Sequence, residues 1–137
     1  MPKGLYQIPY PDNEPVRSYA PDSDELKSLL DTYHLMYKQE PIDMPMYIGS
    51  REVRTGDKKP ICPPHEYAKV LGHFNQGDAS HVHEAIDAAL EAKSAWAAMP
   101  WEHRASIFIK AAALLAGPFR DTMNAATMLA PAKNVRQ

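Results

Sequence analysis

From Ser80 to Gly117 the chain reads SHVHEAIDAALEAKSAWAAMPWEHRASIFIKAAALLAG, and apolar positions recur there at helical spacing. Val82, Ile86, Ala89, Leu90 and Ala97 form one narrow stripe, with Trp96 at its edge. Asp78 or Ser80 can cap the start of this helix. The run breaks at Pro100 and resumes as a second helix, where the missing proline N–H costs little. In the second helix Ala105, Phe108, Ala112 and Leu115 share a side, Ile109 sits beside them, and Ile107 and Leu114 lie nearly opposite. A helix apolar on so many sides expects burial in a larger body. Gly117-Pro118 closes it, glycine for a left-handed cap and proline as the stop. A shorter helix is expected from Pro118 to about Met128.

Upstream the pattern is more broken. Residues 1–21 carry Pro2, Pro9, Pro11, Pro15 and Pro21, so they read as an extended arm. Tyr6, Ile8, Tyr10 and Val16 could pin that arm to a surface. A helix over 22–40 follows, capped by Asp22 or Ser23. Leu26, Leu29, Leu30, Tyr33, Met36 and Tyr37 form its inner face; Lys27, Asp31, His34 and Lys38 point outward. Asp24 and Glu25 suit its first turn, and Pro41 ends it. Residues 44–75 then read as a β-hairpin and strand segment. Met46-Tyr47-Ile48 and Arg51-Glu52-Val53-Arg54 flank a Gly49-Ser50 turn. Ile61-Cys62-Pro63-Pro64 is edge-like or loop, since proline cannot donate to a ladder. Ala68 to Phe74 is the next expected strand. Residues 78–137 are a helical segment. The expected class is an α+β fragment, mainly helical, with a small antiparallel sheet.

Composition narrows the possibilities. The chain has 137 residues, 45% of them hydrophobic, with 13 prolines and a formal net charge of -2. Mean hydropathy is -0.46 and the pI is near 6.3. No basic stripe stands out, so nucleic acid is not an expected partner. No apolar run approaches the roughly 20 residues of a membrane span. The opening MPKGLYQIPYPDNEP has neither a signal-peptide core nor a transit-peptide look, which suggests a cytoplasmic protein. The single Cys62 excludes an internal disulfide framework and suits a reducing compartment.

Candidate chemistry is sparse. A catalytic thiol needs a helix N-terminus or a nearby cation; Cys62, between Ile61 and two prolines, reads as a structural cysteine. His81 and His83 are two apart and point about 200° apart on a helix, so they cannot share a metal. His34, His65, His73 and His103 are scattered, without metal-ligand spacing. Asp78, Glu84 and Asp121 could be named as acid/base groups, but capping and first-turn charge account for Asp78 and Glu84. No Gly-x-Gly-x-x-Gly follows a strand and no Gly-x4-Gly-Lys-Ser/Thr occurs. Trp96, Trp101, Phe108 and Phe119 are most simply core residues. The residues name no catalytic, cofactor-binding or metal site.

Order and motifs together carry a resemblance. Tyr47-Ile48-Gly49, Val70-Leu71-Gly72, Ala85-Ile86-Asp87-Ala88-Ala89, Trp96, and Arg104-Ala105 through Leu114-Leu115 match the N-terminal portion of the aldehyde dehydrogenase superfamily. Asn13-Glu14-Pro15-Val16, the helix before the hairpin, and Met99-Pro100-Trp101-Glu102-His103-Arg104-Ala105 leading to Leu115-Ala116-Gly117-Pro118 resemble its 1-pyrroline-5-carboxylate dehydrogenase branch more closely. The resemblance covers nearly the whole chain. It implies a Rossmann-like α/β fold with a catalytic domain and an oligomerisation flap, NAD as cofactor, and oxidation of glutamate γ-semialdehyde to glutamate in proline breakdown. It also implies a cysteine nucleophile, an asparagine-assisted oxyanion site and a glutamate that activates water. None of these maps onto a residue here, and Cys62 does not match the nucleophile's motif. The chain alone is therefore expected to be inactive and to hold no cofactor. Its expected partner is the remainder of a dehydrogenase, or further copies of itself through apolar helix faces. The rival expectation is a non-catalytic helical interaction module, or the start of another aldehyde dehydrogenase. After Leu129 the branch shows a Gly-Gln-Ser/Gly-Lys type turn, where this chain has Ala130-Pro131-Ala132-Lys133. Loss of that glycine removes easy access to positive φ.

Overall fold

The computed structural model describes residue 10 and residues 12–136. Tyr6 and Ile8, expected to anchor the arm, lie outside that range. The element order is α1 (Asp24–Lys38), β1 (Ile42–Met44), β2 (Met46–Ile48), β3 (Arg51–Val53), β4 (Lys58–Ile61), β5 (Gly72–Asn75), α2 (Ala79–Ala98), α3 (Trp101–Ala116) and α4 (Arg120–Leu129).

Ser23, not Asp22, caps α1: its Oγ accepts the Leu26 N–H at 3.3 Å. Asp22 stands outside the helix at φ +65°. The inner face of α1 packs on α4. Leu29 and Ala125 are fully buried and Leu129 nearly so, which places the core between these two helices. The Ser28 hydroxyl donates to Asp121 across the same seam at 2.6 Å. Leu30 departs from the expected inner face and is partly exposed.

The hairpin forms as the turn chemistry dictates. β2 and β3 pair antiparallel, with Ile48 opposite Arg51. Gly49 adopts φ +59°, which an L side chain rarely tolerates. The second sheet corrects the expectation of an antiparallel one. Its order is β1-β5-β4; β1 and β5 run parallel, and β4 and β5 antiparallel. β1 was not foreseen, because three residues after Pro41 show no alternation. Its pairing requires Gly72: a Cβ there would lie 2.7 Å from the Ile42 carbonyl oxygen.

The strand expected over 68–74 is confined to 72–75. Glu66 N–H bonds the Pro63 carbonyl and Lys69 N–H bonds that of Glu66, each at 3.0 Å, so two successive turns occupy 63–69. Tyr37 holds these turns against α1. Its hydroxyl donates to Glu66 at 2.9 Å, and the Lys69 ammonium sits 4.8 Å from its ring centre. Pro60 is tolerated because β4 lies at the sheet edge.

Gly117 does not take the left-handed cap. Its φ is -107°, and α3 closes when its N–H bonds Ala113 and the Phe119 N–H reaches Leu114. Glycine is needed there because a Cβ would stand 2.9 Å from the Ala113 carbonyl. The following helix begins at Arg120 rather than Pro118.

Candidate functional site

The long helices α2 and α3 have no buried residue among the described ones. α2 is well founded. Asp78 accepts the backbone N–H groups of Ser80 and His81, and His81 Nδ1 accepts from the Asp78 N–H at 3.2 Å, closing a capping box. The Ser80 hydroxyl, first, and then the His81 backbone N–H hold the Asp78 carboxyl well below the usual carboxylate range. The hairpin rests on α2: Gly49 faces Ala88, and Arg51 pairs with Glu84 at 2.9 Å.

Beyond that contact, and one between α3 and α4, the helices stand open. Val82, Ile86, Leu90 and Trp96 on α2, and Trp101, Ile107, Phe108, Ile109 and Leu115 on α3, are each 40% to 66% exposed. Trp96 and Phe108 meet edge-on at 6.5 Å, so the two helices share one aromatic contact rather than a core. Trp96, Trp101, Phe108 and Phe119 are thus not the core residues expected of them.

The arm is also held differently from expectation. Tyr10 and Val16 are 85% and 99% exposed and pin nothing. The arm is fastened by polar groups instead. Arg120 donates to the Pro15 carbonyl at 3.2 Å and faces Glu14 at 3.6 Å, while the Asn124 amide donates to the Tyr19 hydroxyl at 3.0 Å.

The residues weighed for chemistry do not converge. Cys62 is half-buried just past β4. Asp78 caps α2. Glu84 lies beyond the first turn and pairs with Arg51, which corrects its first-turn assignment. Asp121 bonds Ser28. Among the described residues no three His, Cys, Asp or Glu side chains gather closely enough to hold a metal. The start of α2 is taken by the Asp78 carboxylate, which occupies the place a phosphate would take there. No helix among the described residues is long and apolar enough to cross a membrane.

One polar knot was not anticipated. Asn75, 4% exposed, bonds Asp43, the Met44 carbonyl and the Thr55 N–H, tying β1, β5 and the β3–β4 loop together. Lys58, at 2.8 Å, chiefly holds the Asp43 carboxyl below its usual range. Its only sequence signal is an asparagine ending a strand, which is indistinguishable from a turn residue.

Four helices, a mixed three-stranded sheet and a two-stranded hairpin make up the described residues, with the apolar sides of α2 and α3 left open. The profile of the aldehyde dehydrogenase family matches residues 52–136, and the chain belongs to that family. Within it, the chain is similar to delta-1-pyrroline-5-carboxylate dehydrogenases. It is 42% identical to that of Agaricus bisporus over 132 residues, 96% of this chain and 24% of the relative. The Dictyostelium discoideum protein, named mitochondrial, is 38% identical over 95% of this chain and 23% of its own length. The solved Mycobacterium tuberculosis dehydrogenase bound with NAD superposes with a TM-score of 0.86 at 41% identity, covering 93% of this chain and 24% of that one. The chain thus spans about a quarter of the length of the relatives it matches.

Proposed function

We propose that this chain is the N-terminal portion of an NAD-dependent dehydrogenase that oxidises glutamate γ-semialdehyde, the open form of pyrroline-5-carboxylate, to glutamate. One observation carries the reading: identity of 42% extends over 96% of the chain, the proline-rich arm included. In this reading residues 78–137 are an incomplete part of the NAD-binding domain, and the bare face of α2 and α3 is the seat of the rest of the enzyme. Covering each half-exposed side chain on it contributes about 1 kcal/mol. The nucleophile, the oxyanion donors and the NAD contacts belong to that remainder, because no described residue is arranged for them. The isolated chain is inactive and binds no NAD.

The test has two parts. The purified chain, given NAD and pyrroline-5-carboxylate, produces no NADH; measurable turnover overturns its inactivity. Its gene reads on past codon 137 into an NAD domain and a cysteine nucleophile. A stop codon there, with a stable oligomer on size-exclusion chromatography, favours a non-catalytic interaction module instead.

A further inference from the structure

Residues 14–19, the α4 residues Arg120 and Asn124, and residues 135–136 line a cleft of about 450 Å³. No residue of α2 or α3 lines it, so it is separate from the open helical face. Its volume lies in the range of small-molecule sites. Arg17, Arg120 and Arg136 come to it from three segments: the arm, α4 and the stretch after α4. Among the described residues Glu14 is the one carboxylate on its wall, so the cleft is net positive in a chain whose formal net charge is -2. A cleft lined by one sign of charge focuses the field and concentrates the opposite ion.

The chain itself leaves these charges largely unanswered. Arg17 and Arg136 are exposed and make no ion pair among the described residues. Arg120 is buried instead, with its side chain only 11% exposed. One terminal nitrogen donates to the Pro15 carbonyl at 3.2 Å and stands 3.6 Å from Glu14, too far for a good hydrogen bond. Its Nε is buried without a partner, and a buried donor left without an acceptor is costly. Tyr19, half-buried on the same wall, accepts the Asn124 amide at 3.0 Å, so its own hydroxyl proton is left to donate. Three guanidiniums and a phenol make a donor set that calls for an anion rich in oxygen acceptors. A phosphate monoester offers three such oxygens and close to two negative charges at pH 7, and the guanidinium fork matches it.

We infer that this cleft binds a small phosphate monoester, its dianion held by Arg17, Arg120 and Arg136. The carboxylate of Glu14 competes with it for Arg120. The site does not rest on the dehydrogenase reading, since every residue that forms it lies within this chain and none belongs to the face assigned to the rest of the enzyme.

The test is a calorimetric titration of the full chain with phenyl phosphate at pH 7.5, which should show saturable binding at one site. Arg17→Gln and Arg136→Gln change exposed residues and should each weaken it about five-fold, the change that one charge-assisted contact in partly wet surroundings brings. Glu14→Gln should tighten it, because Arg120 loses its competitor. Lys93→Gln, on α2 and outside the cleft, should leave it unchanged. Succinate, whose carboxylates each present only two oxygens, should bind more weakly than phenyl phosphate. Absence of saturable binding overturns the site, and so does a loss in Lys93→Gln equal to that in Arg17→Gln, which marks diffuse attraction. Weaker binding in Glu14→Gln, or succinate bound as tightly as phenyl phosphate, also contradicts it. None of these results bears on whether the chain belongs to a dehydrogenase, so the two readings fail separately.

Discussion

The side-chain amide of Asn75 donates at 2.9 Å to the carboxylate of Asp43, and the same nitrogen reaches the Met44 carbonyl at 2.8 Å. Its oxygen takes the Thr55 N–H at 2.8 Å. One buried side chain thus satisfies three groups from two other segments, β1 and the β3–β4 loop. Asn75→Ala strands them and should cost about 2–3 kcal/mol, read as a lower urea midpoint with an unchanged slope. Asn75→Asp should also destabilise, by placing a second carboxylate against Asp43.

The acid limb of stability follows from the depressed carboxyls of Asp43 and Asp78. Each has a lower pKa folded than unfolded, so its contribution is present at neutral pH. It is lost as pH falls below about 4, the unfolded value, and through the folded one. Thermal unfolding followed between pH 6 and 2 should show Tm falling in that window. Asp43→Asn should shallow the fall. Tyr37 gives the opposite sign at high pH. Its hydroxyl donates to Glu66, which raises its pKa, so its contribution is lost as pH rises through the folded value.

The turn after α4 separates two alanines. Ala130 is helical at φ -73°, whereas Ala132 is left-handed at φ +57°. The glycine expected first in this turn is therefore not missed at 130, and the strain sits at 132. Ala132→Gly should stabilise by about 1 kcal/mol, and Ala130→Gly should destabilise by up to about 1 kcal/mol. Differential scanning calorimetry of the two variants distinguishes the positions.

Gly72 fixes the parallel pairing of β1 with β5. In Gly72→Ala the new methyl would meet backbone 2.7 Å away, and the strands must part. A loss of 2 kcal/mol or more is expected, at the upper end for a single substitution. Amide exchange at Met44 and Phe74 should quicken together. Gly49→Ala should cost only about 1 kcal/mol, because its penalty is conformational; the nearest atom, Ala88 Cβ, would lie at 3.4 Å.

Local rules carried the helices and the hairpin. Ser23, Asp78, Gly49 and Pro100 stand where capping and turn chemistry put them, and the periodicity of Leu26, Leu29 and Tyr33 gave the face of α1. What escaped was non-local. β1 depends on Gly72 some thirty residues away, a separation with no trace in a three-residue segment. The shortened β5 depends on Tyr37 capturing Glu66. The aromatics of α2 and α3 were read as core because periodicity reports which side is apolar, not whether anything covers it. The arm was expected to hold by its apolar residues, yet Arg120 and Asn124 hold it by its backbone and tyrosine hydroxyl.

The central claim is that the α2–α3 face awaits a cover from outside these residues. Hydroxyl-radical footprinting of the chain at monomeric concentration tests it most directly. Ile107, Phe108 and Ile109 should be modified at near-surface rates while Leu29 and Leu129 stay protected. If the α3 trio proves as protected as Leu29 in the monomer, the face is already covered and the account fails.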